Sequence, residues 1–177
     1  MKYLTFLIFL VFMVQPSSIL YDFNSDSLLT DWRIVDDTVM GGRSSGNYKL
    51  SKEGKGVFFG TVSLENNGGF SSLRNRSKSI SLENFTEFVL KVKGDGKNYQ
   101  FRVKDDVNSY YSYKTEFSTS GEWQEIRLKF SKFTPTFRGR TLDLPNFSGK
   151  VVEEMTFLIA NKENENFSLE LDQLLVH

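Results

Sequence analysis

The side chains able to do chemistry in this chain are its carboxylates and guanidiniums. It has no Cys and a single His, the terminal His177. The lack of Cys excludes thiolate nucleophiles, Cys-held zinc, Fe–S clusters and disulfides. A lone His at the chain end is badly placed to be a buried general base. Asp36-Asp37 is an adjacent carboxylate pair. It offers hard oxygen ligands to a cation such as Ca²⁺, but no loop of alternating Asp and Asn follows it. The simpler reading is a turn in which the Asp oxygens accept backbone N–H groups. Asp36, Asp37, Glu65, Glu116 and Glu122 could also supply the carboxyl pair of a glycoside hydrolase, which needs two such groups about 5–9.5 Å apart. Any β protein offers pairs of this kind by chance. Arg138 and Arg140 flank Gly139, and a guanidinium fork there could clasp a carboxylate or phosphate. Trp32 and Trp123 could stack on a sugar ring, although strand-edge Trp more commonly packs. Four Asn-x-Ser/Thr sequons stand at Asn75, Asn84, Asn146 and Asn166. They would be glycan acceptors only in a eukaryotic secreted protein.

These residues must be held by strands. Glu87 to Lys93 places Phe88, Leu90 and Val92 on one face. Tyr99, Phe101 and Val103 alternate with Gln100, Arg102 and Lys104. Ile126, Leu128 and Phe130 alternate with Arg127 and Lys129, and Phe167, Leu169 and Leu171 alternate with polar neighbours. Phe157 and Ile159 lie in a more continuous apolar run, which predicts an inner strand. Between the runs stand Gly41-Gly42, Asn67-Gly68-Gly69, Gly94-Asp95-Gly96, Ser120-Gly121 and Pro145-Asn146, all with turn chemistry. No amphipathic helix, repeat or second domain is evident. Residues 133–150 predict a long irregular connection. The 177 residues, 15% aromatic with 17 Phe, suffice for one core. The pattern predicts an all-β fold, a single jelly-roll sandwich. The 22 basic and 22 acidic residues cancel, without a long like-charge run; nucleic acid is not an expected partner, and no cofactor is expected.

The N-terminus adds an expectation about place. Met1-Lys2-Tyr3, the apolar Leu4 to Val14 and then Gln15-Pro16-Ser17-Ser18 have the layout of an export signal. The expected division is residues 1–18 as signal peptide or membrane anchor and 19–177 as the sandwich. Export to the periplasm, envelope or exterior follows from it. Contact with a membrane would be only through that segment, if uncleaved.

Two stretches carry a family resemblance: Asp36-Asp37-Thr38-Val39-Met40-Gly41-Gly42-Arg43-Ser44 and Gly60-Thr61-Val62-Ser63-Leu64-Glu65-Asn66-Asn67-Gly68-Gly69-Phe70-Ser71-Ser72-Leu73-Arg74. Val92 to Tyr99, Gly121-Glu122-Trp123-Gln124 and Phe133 to Gly139 follow in the expected order. Across roughly residues 21–175 the chain resembles the complex I intermediate-associated protein family, the thirty-kilodalton assembly factor of mitochondrial NADH:ubiquinone oxidoreductase. The resemblance implies a galactose-binding-like jelly roll, similar to non-catalytic carbohydrate-binding modules, and an assembly or chaperone-like role for a membrane complex.

Combined with the export layout, these features predict a non-enzymatic exported module that binds a carbohydrate or a protein. The alternatives are the family's assembly role and a carboxylate-based glycoside hydrolase. With Phe58, Val62, Leu64 and Leu73 facing the core, Phe59, Thr61, Phe70, Ser72 and Arg74 face away. Gln100, Arg102 and Lys104, then Tyr110, Lys114 and Glu116, do likewise. If these strands share a sheet, the predicted ligand or partner site comprises Asn66, Asn67, Arg74, Arg102, Tyr110 and Arg138.

Overall fold

A computed structural model describes residues 16–177. Its strands are β1 (Ser18–Asp22), β2 (Trp32–Asp36), β3 (Ser45–Leu50), β4 (Gly56–Val62), β5 (Ser71–Ser81), β6 (Glu87–Lys93) and β7 (Asn98–Lys104). β8 (Ser112–Ser118), β9 (Trp123–Lys129), β10 (Thr134–Phe137), β11 (Arg140–Thr141), β12 (Val151–Ile159) and β13 (Glu165–Val176) follow. Helix among the described residues is limited to four short 3₁₀ segments. The strands form two antiparallel sheets. One runs β3-β4-β13-β6-β9, with β1 continuing the β4 side of β13; the other runs β11-β10-β8-β7-β12-β5-β2.

The sheets meet over the predicted alternating residues. Phe58, Phe88, Leu90, Phe101, Leu73, Phe157 and Leu169 are almost fully buried. Phe88 from the first sheet meets Phe101 from the second edge to face, with ring centroids 5.3 Å apart. Trp32 packs beside Phe157 at 5.7 Å. Burying each such side chain contributes about 1.5–3 kcal/mol, so the aromatic interior accounts for much of the driving force. The predicted inner strand is β12, hydrogen-bonded by β5 on one side and β7 on the other.

Four expectations need correction. Residues 133–150 are not wholly irregular: β10 and β11 make a hairpin there. Its two turn residues, Arg138 and Gly139, both have positive φ (47° and 77°), which matches the twist of two-residue hairpins. Alternation could not show so short a pair of strands. Leu64 does not face the core, since it follows the end of β4 and is exposed. Phe59 and Thr61 do not share a sheet with Arg74, because β4 and β5 are in different sheets. Trp123, unlike buried Trp32, is exposed on edge strand β9. The predicted signal segment lies outside the described residues except for its end, where Ser18 already pairs with Val176.

Candidate functional site

The site is assembled on the outer face of the seven-stranded sheet. Its first support is a buried carboxylate. Asp37 follows β2 and is fully buried. Its Oδ1 accepts from Ser44 N at 3.0 Å; its Oδ2 accepts from Ser44 Oγ at 2.5 Å, Gly69 N at 2.6 Å and Phe70 N at 3.1 Å. Burial works against the charged form, but these donors outweigh it and hold the carboxyl below its usual pKa. Gly42 and Gly68 lie directly against this carboxylate, where a Cβ would come within 2.3 and 2.6 Å of its oxygens. The knot joins the Met40–Ser44 loop to the Asn66–Phe70 loop, so that both stand at one rim of the sheet. Asp36 serves similarly, accepting from Gly46 N and Ser71 Oγ. The donors occupy the oxygens considered above as possible cation ligands.

Antiparallel register aligns the face in rows. One row runs Arg33, Arg74, Thr156, Arg102, Lys114 across β2, β5, β12, β7 and β8. The next row contains Arg76, Glu154 and Lys104. Glu154, Thr156 and Leu158 alternate with core-facing Met155 and Phe157 but are themselves buried. They form the floor of a groove walled by longer side chains and loops. Arg74, Arg102, Tyr110, Phe137 and Arg138 line a hollow of about 160 Å³ over this floor. A larger hollow of about 510 Å³ adjoins it, bounded by Met40, Gly69, Phe70 and the same three arginines. Tyr110 is exposed and meets Phe137 edge to face, with centroids 5.2 Å apart. The Arg138 guanidinium lies 5.2 Å from the Phe137 ring centre, a cation–π distance.

The charge on this face is poorly balanced. Glu154 is taken by Arg76 at 2.6 Å and Glu116 by Lys114 at 3.0 Å. Arg74 Nε donates to Ser72 Oγ, and Arg102 donates through Nε and Nη2 to Gln100 Oε1. Both acceptors are neutral, and neither arginine makes an ion pair among the described residues. Burial, with the neighbouring Arg74 charge and against the pull of Glu116, pushes Arg102 down to about 10. Burial also lowers Arg74, with Arg33 and Arg76 adding to that effect against the pull of Glu154. Both remain cationic at neutral pH. A half-buried guanidinium held only by neutral oxygens, next to others of its kind, is suited to receive an anion.

Of the predicted site residues, Arg74, Arg102, Tyr110 and Arg138 line one hollow. Asn66 and Asn67 do not line it. They form the nearby rim turn with positive φ of 56° and 59°, and Asn66 Nδ2 donates to Gly41 O at 3.2 Å. Sequence reasoning missed Arg33 and the floor of Glu154, Thr156 and Leu158. Alternation beside buried Trp32 could have indicated Arg33, and the alternation Glu154-Met155-Thr156-Phe157 could have indicated the floor; only the apolar Phe157–Ile159 end of β12 was read. The carboxylates considered for glycoside hydrolysis are engaged separately, Glu65 with Arg43 and Glu116 with Lys114, while Glu122 is exposed before β9. Of the sequons, Asn75 is buried, with Nδ2 donating to Asp31 O.

Residues 21–171 match the family described as Complex I intermediate-associated protein 30. Relatives include the mitochondrial complex I intermediate-associated protein 30 of Mus musculus, 26% identical over 90% of this chain and 56% of that protein. The Drosophila melanogaster counterpart is 26% identical over 92% of this chain and 64% of its own length. The chain thus spans between half and two thirds of the length of these two relatives. Among solved structures, a family 11 carbohydrate-binding module from Clostridium thermocellum, in complex with a mixed-linked tetrasaccharide, superposes with a TM-score of 0.65. It has 16% identity and covers 90% of this chain and 94% of its own. That likeness establishes the jelly-roll fold.

The expectation of an exported protein is overturned by these matches, since the curated relatives are named as mitochondrial proteins. An apolar run of about 11 residues fits several fates and carries no single address.

Proposed function

The chain belongs to the complex I intermediate-associated protein 30 family, and on that premise we propose that it is a non-enzymatic assembly factor that holds a protein intermediate of a membrane complex. The docking surface is the outer face of the seven-stranded sheet. One observation carries this reading: the groove containing Arg74, Arg102 and Arg138 is bordered by exposed apolar side chains. Met40 borders the larger hollow, and Tyr110 and Phe137 border the smaller one. Aromatic and Met side chains beside Arg are characteristic of protein interfaces. Asp36, Asp37, Glu65 and Glu116 are each held by internal donors, which supports a binding role.

The test uses the full chain in its own cells. Crosslinking and affinity capture are expected to recover complex I subunits together with it. Loss of the gene is expected to lower the amount of assembled complex, with recovery on re-expression. Normal assembly without the gene, with no complex I subunit captured, would overturn the reading. A second reading, sugar binding on the same face, is favoured by the Tyr110 and Phe137 rings at the rim. A glycan array separates it from the first.

A further inference from the structure

We propose that the row Arg33–Arg74–Arg102–Lys114 receives the carboxylates of an extended acidic segment of the partner protein; this rests on the protein-binding reading above. The whole chain carries 22 basic and 22 acidic residues, yet cations are gathered on this face. Arg33 stands directly opposite Arg74, and Arg102 directly opposite Lys114. Like charges in directly opposed positions destabilise a sheet. Lys114 already has Glu116, but Arg33, Arg74 and Arg102 make no ion pair among the described residues, and an anionic occupant would relieve them.

Arrangement narrows the chemistry. The row crosses five strands, about 19 Å at the usual strand spacing. Cations spread along a line match separate carboxylates along an extended chain better than one compact multivalent phosphate. Arg102 has already committed its Nε N–H and one N–H of Nη2 to Gln100, leaving three N–H groups, two of them on Nη1, for the occupant. Arg74 has committed only Nε, to Ser72. Both guanidiniums are recessed behind the Tyr110 and Phe137 rim. A flat bilayer surface reaches projecting cations more readily than recessed ones. A peptide side chain can enter the hollow.

The probe is a labelled ten-residue peptide of alternating Glu and Ala, compared with its Gln–Ala counterpart. Vesicles of phosphatidylglycerol with phosphatidylcholine, and oligodeoxythymidine, are measured in parallel. The Glu–Ala peptide is expected to bind in preference to the other three, and more weakly as salt rises from about 0.05 to 0.5 M. Arg74→Gln and Arg102→Gln are each expected to weaken it about tenfold or more. Arg102→Lys should lose less, and Lys129→Gln on the opposite sheet should lose nothing. Thermal melts confirm that the variants fold. Equal binding of the Gln–Ala peptide, or indifference to both arginine substitutions in folded protein, would overturn the proposal. So would tighter binding of vesicles or DNA through these arginines. Capture of complex I subunits without Glu–Ala binding would defeat this inference alone. Glu–Ala binding, with normal assembly in the gene-deleted strain and no complex I subunit captured, would defeat the assembly reading alone.

Discussion

Two charged centres lie within a few strands of each other and are treated in opposite ways. Asp37 is a fully buried anion whose oxygens accept from four donors, three of them backbone amides. Arg74 and Arg102 are half-buried cations given only neutral acceptors, with further cations as strand neighbours. A buried charge that is fully hydrogen-bonded is part of the architecture. A desolvated charge without a counter-charge costs stability, and its value lies in what it can bind. Asp37 therefore builds the rim, and the arginines are the groups the proposed acidic segment would engage.

The sharpest way to break this contrast is to remove the anion. Asp37→Ala leaves one buried and two partly buried amides without their acceptor, where a fully buried orphan costs about 1–3 kcal/mol. A total loss of about 3–5 kcal/mol is expected, lowering Tm by roughly 10 °C in a domain of this size. Thermal or urea unfolding measures it, and a loss below about 1 kcal/mol would show that the knot is not structural.

Gly42→Ala should cost less, about 1–3 kcal/mol. The added Cβ would lie 2.3 Å from Asp37 Oδ1 and 2.9 Å from Asp37 Cβ, so the carboxylate must shift and its bonds lengthen. Unfolding midpoints comparable to wild type would mean that the loop yields freely.

Acid provides a graded probe. The Asp37 carboxyl is held below its ordinary pKa in the folded state. Its contribution is therefore fully present above the unfolded value, about 3.9. That contribution is lost as pH falls through the lower folded value. Asp95, which accepts from Lys97, Tyr99 and Ser168, is lowered as well and acts in the same sense. Stability should fall steeply below about pH 4, and less steeply in Asp37→Asn. Equal slopes for the two proteins would remove Asp37 from the explanation.

The smallest effect is expected on the other side of the contrast. Arg74→Gln and Arg102→Gln should remain within about 0.5 kcal/mol of wild-type stability, because lost cover over Thr156 and Leu158 is offset by relief of like-charge pairs. Destabilisation beyond about 2 kcal/mol would make these arginines structural and dissolve the distinction.

Much of the scaffold was legible along the chain. Alternation at Phe88, Leu90 and Val92, and at Tyr99, Phe101 and Val103, named core residues correctly, because a strand's period of two is a local property. By the same rule Arg74, Arg102 and Lys114 face outward, and Asp36-Asp37 accept backbone amides as the turn reading expected. The short β10–β11 hairpin was not legible, since two to four residues carry no periodic signal. Leu64 was misplaced because alternation was extended past the end of β4.

What the sequence by itself determined is which residue types face in or out within each strand, and which glycines and carboxylates make the turns. Only the tertiary structure decided which strands are neighbours. Arg33, Arg74, Arg102 and Lys114 lie far apart along the chain, and they form one row because β2, β5, β12, β7 and β8 pair in that order. Pleat direction is set residue by residue, whereas strand order is set by closing long loops onto one shared core.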